Sequence, residues 1–216
     1  ARFSPAGDFT GTASFAYTAT DRTADPRLFL YYDMEQATVT NGGAIADVSG
    51  RGRDGTLEVV GAGVAASTNC TPAPIVSGQS LLLRERGNFN GARIRRQINA
   101  GEFDFNDRSW TFSGRFWRAA QTNEDFIFYI GKGDGFGALE ELQLYGYPGA
   151  ATVGVRHYVG ENTNDVDLSA AGVAVGTWHH VAVTFERTGA RTGVMSLYLD
   201  GALKGSDSTN TFNLDQ

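Results

Sequence analysis

The segment from Ser109 to Arg118 reads Ser-Trp-Thr-Phe-Ser-Gly-Arg-Phe-Trp-Arg, with its large apolar side chains mostly at every second position. Successive side chains of a β-strand point to opposite faces of the sheet. Trp110, Phe112, Gly114 and Phe116 therefore share one face, and Thr111, Ser113, Arg115 and Trp117 share the other. A period of two argues against a helix and predicts a strand with one face on a core. The second face mixes polar groups with a Trp, as a ligand-facing sheet does.

The rest of the chain repeats this theme. Strands are predicted at Leu28 to Met34, Thr56 to Val60, Leu81 to Leu83, Ala92 to Ile98, Phe126 to Ile130, Glu141 to Tyr145, Thr152 to Val159, Trp178 to Glu186 and Val194 to Leu199. Leu28 to Met34 is apolar on both faces and is expected in the interior of a sandwich. Asn41 to Gly55 and Gly61 to Gly78 read as loops, from their Gly, Asp and Pro content. Asp200-Gly201 is a two-residue hairpin signal, because Gly tolerates positive φ. No segment has a helical period. Many short strands, 28 glycines and 12% aromatic residues in 216 residues predict an all-β fold, an antiparallel two-sheet β-sandwich of about twelve or more strands.

The net charge of −6 and the lack of a dense basic run speak against a nucleic-acid partner. Arg93, Arg95 and Arg96 come nearest, but alternation splits them between two faces of a solvated strand. No run approaches the roughly 18 apolar residues of a membrane span, so membrane insertion by this segment is not expected. The single cysteine, Cys70, leaves no intrachain disulfide. Eukaryotic extracellular modules often carry one, so its lack fits a bacterial exported protein better, or a cytosolic one. Asn69-Cys70-Thr71 matches the glycosylation sequon, a weak three-residue signal.

Phe3-Ser-Pro-Ala-Gly-Asp-Phe-Thr-Gly-Thr-Ala-Ser-Phe-Ala-Tyr-Thr-Ala-Thr-Asp21 resembles the last hairpin of a bacterial Ig-like or cadherin-like repeat. On that resemblance residues 1–24 are a repeat remnant with a linker, and 25–216 are the main domain. The alternative is that the hairpin belongs to the main domain. Three further segments carry a second resemblance. Asp47-Val-Ser-Gly-Arg-Gly-Arg-Asp-Gly-Thr-Leu57 is similar to the Asp-x-Ser-Gly-x-Gly-x-Asp-Gly-Thr-Leu loop of laminin G-like jelly rolls. Gly176-Thr-Trp-His-His-Val-Ala-Val-Thr-Phe185 with Leu197-Tyr-Leu-Asp-Gly201 is similar to that family's Trp-x-His-Val-Ala-x-Thr-Phe strand and following hairpin. Trp110 to Trp117 stands between them, where the family has a Phe-Thr-x-x-x-Trp strand.

The resemblance implies a laminin G-like, concanavalin A-like jelly roll, often with a structural calcium ion. It implies binding to a glycan or an extracellular protein, in a secreted or cell-surface parent with other domains. The family's last strand, Gly-x-Ile-Asp-Asp/Glu-Val, has no counterpart after Asn213-Leu-Asp-Gln216, so a truncated C-terminus is expected. For calcium the candidates are Asp47 and Asp54 of the Gly-kinked loop and Asp33 of the preceding strand, since calcium takes six to eight oxygen ligands. The alternative is that Asp47 and Asp54 only hydrogen-bond the turn.

Sugars stack their apolar faces on aromatic rings. The ligand candidates are Trp117, Tyr145, Tyr147 and Tyr158, with Arg115 and Arg156 as donors. Catalytic residues are not expected. Adjacent His179 and His180 face opposite sides of a strand, and His157 alternates with Val153, Val155 and Val159 as a buried, satisfied histidine. No Gly-x-Ser-x-Gly elbow occurs. A jelly-roll glycoside hydrolase needs two carboxylates about 5–9.5 Å apart. The Glu-x-Asp-x-Glu strand of such glucanases is missing. Glu35 and Glu140-Glu141 are isolated, and Asp165-Val-Asp167 has no Glu partner. The expectation is a non-catalytic carbohydrate-binding module, with a protein-binding adhesion module and a glycoside hydrolase as alternatives.

Overall fold

In the computed structural model, residues 27–35, 38–60, 66–67, 80–83, 91–99, 101–118, 125–131, 141–160 and 163–214 are described. The repeat-like residues 1–24, the sequon and Cys70 lie outside them. The described residues form thirteen strands and no helix. In chain order these are β1 (Ala44–Ile45), β2 (Gly55–Val59), β3 (Ala66–Ser67), β4 (Leu82–Leu83), β5 (Ala92–Arg95), β6 (Trp110–Trp117), β7 (Asp125–Ile130), β8 (Glu141–Gly146), β9 (Thr152–Gly160), β10 (Thr163–Ala171), β11 (Trp178–Gly189), β12 (Thr192–Leu199) and β13 (Ala202–Thr209).

Two four-stranded antiparallel sheets make the sandwich, in the orders β10-β9-β8-β7 and β13-β12-β11-β6. Their facing sides supply the core, as alternation requires. The first sheet contributes Leu142 and Leu144 of β8, Val153 and Val155 of β9, and Val166 of β10. The second contributes Trp110 of β6, Val181, Val183 and Phe185 of β11, and Met195, Leu197 and Leu199 of β12. Phe112 of β6 stacks on Phe128 of β7 across the gap, with ring centroids 4.0 Å apart. Strand β10 lies against β12 and β13, where the sheets meet at one edge. A three-stranded sheet β1-β2-β5 and the pair β3-β4 complete the described structure. The all-β antiparallel sandwich expected from the alternation is the observed fold.

Local chemistry explains the connections. The β12–β13 hairpin turns at Asp200 (φ 52°) and Gly201 (φ 79°), both left-handed, as its two-residue turn demands. Phe212 and Leu214 follow β13 into the core, and Phe212 stacks on Phe185 at 4.1 Å.

Three expectations need correction. Leu28 to Met34 forms no regular strand and none of its residues is buried; Tyr31 is 51% exposed. Its backbone is held mainly by the 47–53 loop, through Tyr31 N–H to Asp47 Oδ1 (3.0 Å) and Val48 N–H to the Tyr31 carbonyl (2.9 Å). Phe29 anchors it on Phe103 and beneath the Arg53 guanidinium. Second, the predicted loops 41–55 and 61–78 contain β1 and β3, which pair with β2 and β4. Third, β10 was not predicted. Its Asn, Asp and Ser residues mask a period of two in which Val166, Leu168 and Ala170 turn to the core.

Arg93 and Arg95 point outward and meet Glu58 across the β2–β5 register, at 2.8 and 3.6 Å. Arg96, on the other face, meets Glu102 at 2.6 Å. This basic cluster is neutralised locally.

Candidate functional site

Strand β8 reads Glu-Leu-Gln-Leu-Tyr-Gly. Leu142 and Leu144 turn to the core opposite His157 and Val155, so Glu141, Gln143 and Tyr145 turn outward. On that outer face Glu141 stands opposite Tyr158, Gln143 opposite Arg156, and Tyr145 opposite Gly154. Tyr129 of β7 flanks Gln143 on the other side, and Asp167 of β10 lies opposite Arg156. The fold thereby gathers two carboxylates, an amide, a guanidinium and several phenols on one side of the sheet, with the three β8 side chains fully buried and Tyr129 and Asp167 exposed.

These side chains are joined in two clusters. In the first, the Tyr129 hydroxyl donates to Glu141 Oε1 (2.6 Å), and Gln143 Nε2 donates to Glu141 Oε2 (3.1 Å). Glu141 and Gln143 are fully buried. In the second, the Arg156 guanidinium carbon sits 3.8 Å from the Tyr145 ring centroid, and Nη1 donates to the Tyr158 hydroxyl at 3.1 Å. The Tyr145 hydroxyl donates to that of Tyr147 at 2.6 Å. Gly154 makes room for this: a Cβ there would stand 2.8 Å from the Tyr147 ring.

The electrostatics follow from the packing. Burial opposes the charge on Arg156, but the Tyr158 hydroxyl and the neighbouring Tyr145 and Tyr147 outweigh it and hold the guanidinium protonated. Burial pushes the Tyr145 phenol upward, and its bond to Tyr147 adds to this, so it stays neutral.

The fold divides the expected ligand residues. Tyr145, Tyr147, Tyr158 and Arg156 come together. Trp117 and Arg115 lie on β6, on the outer face of the opposite sheet, where their register partners are Trp178 and His180. Within the first group Tyr145 and Tyr158 are buried, while Tyr147 and Arg156 are half-buried at the rim. Neither Tyr129 nor Gln143 is singled out by the sequence, which marks Asp167 only as a carboxylate of Asp165-Val-Asp167. The alternation of Glu141, Gln143 and Tyr145 around two leucines was the available signal.

His157 and His179 are held by packing and hydrogen bonds. His157 is buried and stacked on Phe212, with Nδ1 3.2 Å from Asp165 Oδ2 and Nε2 3.0 Å from the Asn213 carbonyl. His179 is buried and donates from Nδ1 to Asp200 Oδ2 at 2.8 Å, while Asp200 Oδ1 accepts the His180 N–H.

The Asp47 loop is organised by its own hydrogen bonds. Asp47 Oδ1 accepts the N–H groups of Tyr31 (3.0 Å) and Ser49 (2.9 Å); Oδ2 accepts Ser49 Oγ (2.7 Å) and the Arg53 N–H (2.9 Å). Burial alone would raise its pKa, but these bonds win and lower it. Asp54 Oδ1 accepts the Asp47 N–H, and Asp33 Oδ1 accepts the Glu35 N–H. Calcium needs carboxylate lone pairs converging on one point. Those of Asp47 are directed at four donors, so Asp47 in this arrangement does not fit a calcium ligand. Among the described residues no group of three or more His, Cys, Asp or Glu side chains is placed to hold a metal. No helix among them is long and apolar enough to cross a membrane.

A laminin G family model, described as the Concanavalin A-like lectin/glucanases superfamily, matches residues 90–216. The match runs from just before β5 through both four-stranded sheets and leaves the Asp47 loop outside it. No curated protein and no solved structure matches the chain. The family model covers more than half of the sequence and the fold agrees with it: the chain belongs to the Concanavalin A-like lectin/glucanases superfamily.

Proposed function

We propose that this chain is a non-catalytic carbohydrate-binding module of an exported, multidomain bacterial protein. The sugar is placed on the outer face of the β10-β9-β8-β7 sheet. The observation that carries this reading is the joined cluster of Arg156, Tyr145, Tyr147 and Tyr158 beside the Tyr129–Glu141–Gln143 chain. Sugar rings need flat apolar surfaces edged with fixed hydrogen-bonding groups. Side chains locked by neighbours lose little entropy when a ligand arrives.

The non-catalytic reading is supported by the same strand. A glycosidase of the two-carboxylate kind needs a second carboxyl about 5–9.5 Å from the first. In β8 the position two residues from Glu141 is an amide, Gln143, and both Glu141 oxygens are engaged; the other carboxylate of this face, Asp167, stands two strands away on β10, opposite Arg156. The test is a glycan array followed by calorimetry on the wild type and Arg156→Ala, with a hydrolysis screen alongside. Binding weakened tenfold or more by the substitution, without turnover, is the expected result. Turnover abolished by Glu141→Gln would reverse the reading.

A protein-binding adhesion module is the second reading. It is favoured by the other outer face, where Trp117 and Trp178 pair in register and Tyr198 stands opposite Leu203, which is 56% exposed. Aromatic residues at such a surface suit a protein partner. Capture of one specific extracellular protein, lost on Trp117→Ala and unaffected by Arg156→Ala, would favour it.

A further inference from the structure

We propose that Gln143 Oε1 is the acceptor that selects the ligand, and that it takes a donor from an uncharged sugar, a hydroxyl or an acetamido N–H. Sugars bearing carboxylate or sulfate are excluded from the same face. This rests on the carbohydrate reading above and names the ligand's chemistry.

The argument starts from the orientation of the amide. An exposed glutamine can turn its amide end over freely. Gln143 cannot, because its Nε2 donates to Glu141 Oε2 at 3.1 Å. Turning over would set Oε1 against the carboxylate. Glu141 is itself fixed, since Oε1 accepts the Tyr129 hydroxyl at 2.6 Å. The chain Tyr129 to Glu141 to Gln143 therefore fixes Oε1 as an acceptor directed away from Glu141. That oxygen is fully buried and has no hydrogen-bond partner among the described residues. A buried acceptor without a donor is costly, and native structures rarely leave one so without reason. Its register neighbours Tyr129 and Arg156 are both partly exposed. Of the two, only Arg156, opposite Gln143 across the β8–β9 register, can turn aside without releasing the Tyr129–Glu141 bond that orients the amide, so the ligand's donor reaches Oε1 past Arg156.

Charge decides what that group is. Glu141 sits next to the amide, and Asp167 lies one strand beyond Arg156. The nearby cation, Arg156, is already engaged by the Tyr158 hydroxyl and the Tyr145 ring. An incoming anion meets two carboxylates and an occupied guanidinium, in a partly buried setting where repulsion is weakly screened. A neutral donor meets an oriented, unsatisfied oxygen.

The test is calorimetry with three probes: neutral galacto-oligosaccharides, N-acetylglucosamine oligomers and oligogalacturonate. The wild type is expected to bind a neutral probe at least tenfold tighter than oligogalacturonate. Gln143→Met removes the acceptor at similar volume and is expected to weaken neutral binding tenfold or more, with folding checked by thermal melting. A series of monodeoxy analogues on the wild type needs no variant. One deoxy position is expected to reproduce the loss and to cost nothing further in Gln143→Met. Preference for oligogalacturonate, or unchanged neutral binding in Gln143→Met while Arg156→Ala loses it, overturns the inference and leaves the sugar face standing. No binding of any probe by the wild type overturns both.

Discussion

The Arg156 guanidinium lies over the ring of Tyr145, a residue of the neighbouring strand, with its carbon 3.8 Å from the ring centroid. The contact is partly desolvated and is backed by the Tyr158 hydroxyl at 3.1 Å. Removing it with Arg156→Ala is expected to cost about 1–3 kcal/mol of stability. Arg156→Lys keeps the charge but not the planar fork, and should recover less than half of that. Urea unfolding of the three proteins checks the order. Equal stability of wild type and Arg156→Ala would remove the basis for treating this cluster as preorganised.

Glycine packing gives a second expectation. A Cβ on Gly193 would stand 2.3 Å from the Phe185 ring and 2.7 Å from the Glu186 carbonyl oxygen. The ring is fully buried and the carbonyl is backbone, so neither can yield. Gly193→Ala should destabilise by about 2–4 kcal/mol through overpacking. Gly114→Ala is the control. Its Cβ would meet nothing nearer than Phe112 at 3.7 Å, an ordinary contact, and its melting temperature should stay within a few degrees of the wild type.

Much of the sandwich was legible because alternation is a local property. The run Trp110 to Trp117 assigns its own two faces, and Asp200-Gly201 declares its turn through a backbone conformation that few other pairs adopt. The site was less legible, for a different reason. Alternation says which side chains of one strand share a face, but not which sheet the strand joins. Trp117 and Tyr158 were grouped because both are outward aromatics on strands. Topology then placed β6 and β9 in opposite sheets. Gln143 gains its meaning only from Tyr129 and Arg156 on either side, and that register is a tertiary fact. Strand β10 was missed because Asp and Asn disfavour strands locally, while burial of Val166 overrides them.

His157 ties the segment after β13 to β9. Its Nε2 reaches the Asn213 carbonyl at 3.0 Å, and its ring stacks on Phe212 at 4.7 Å. On the other side lies Asp165, which also accepts from the Thr209 hydroxyl. His157→Ala should leave Asp165 without a partner on that side and loosen Phe212 and Leu214, at about 2–4 kcal/mol. Hydrogen exchange is the sharper measurement. Amides of residues 212–214 should lose protection well beyond the global change, while those of β11 follow global stability alone. Uniform loss across the sandwich would mean that His157 is an ordinary core residue and not a local tie.

The last expectation concerns acid and calcium at Asp47. Four hydrogen bonds hold its carboxylate in the charged form and lower its pKa against the opposing effect of burial. The pKa in the folded chain is therefore below that of the unfolded chain, whose ordinary value is about 3.9. Asp47 then contributes stability that is present above the unfolded pKa and is lost as pH falls through the folded one. Asp47→Asn keeps the shape but replaces one acceptor oxygen by an amide donor facing N–H groups. It should cost about 2–4 kcal/mol at neutral pH. The difference between wild type and Asp47→Asn should shrink as the pH is lowered below about 4, because protonation brings the wild type to the same condition. Calcium enters as the counter-test. An ion that binds only the folded chain must raise its stability. With the Asp47 lone pairs directed at Tyr31, Ser49 and Arg53, millimolar calcium should leave the melting temperature where a chelator leaves it. A rise of several degrees with calcium that vanishes in Asp47→Asn would show that the carboxylate exchanges its backbone donors for the ion.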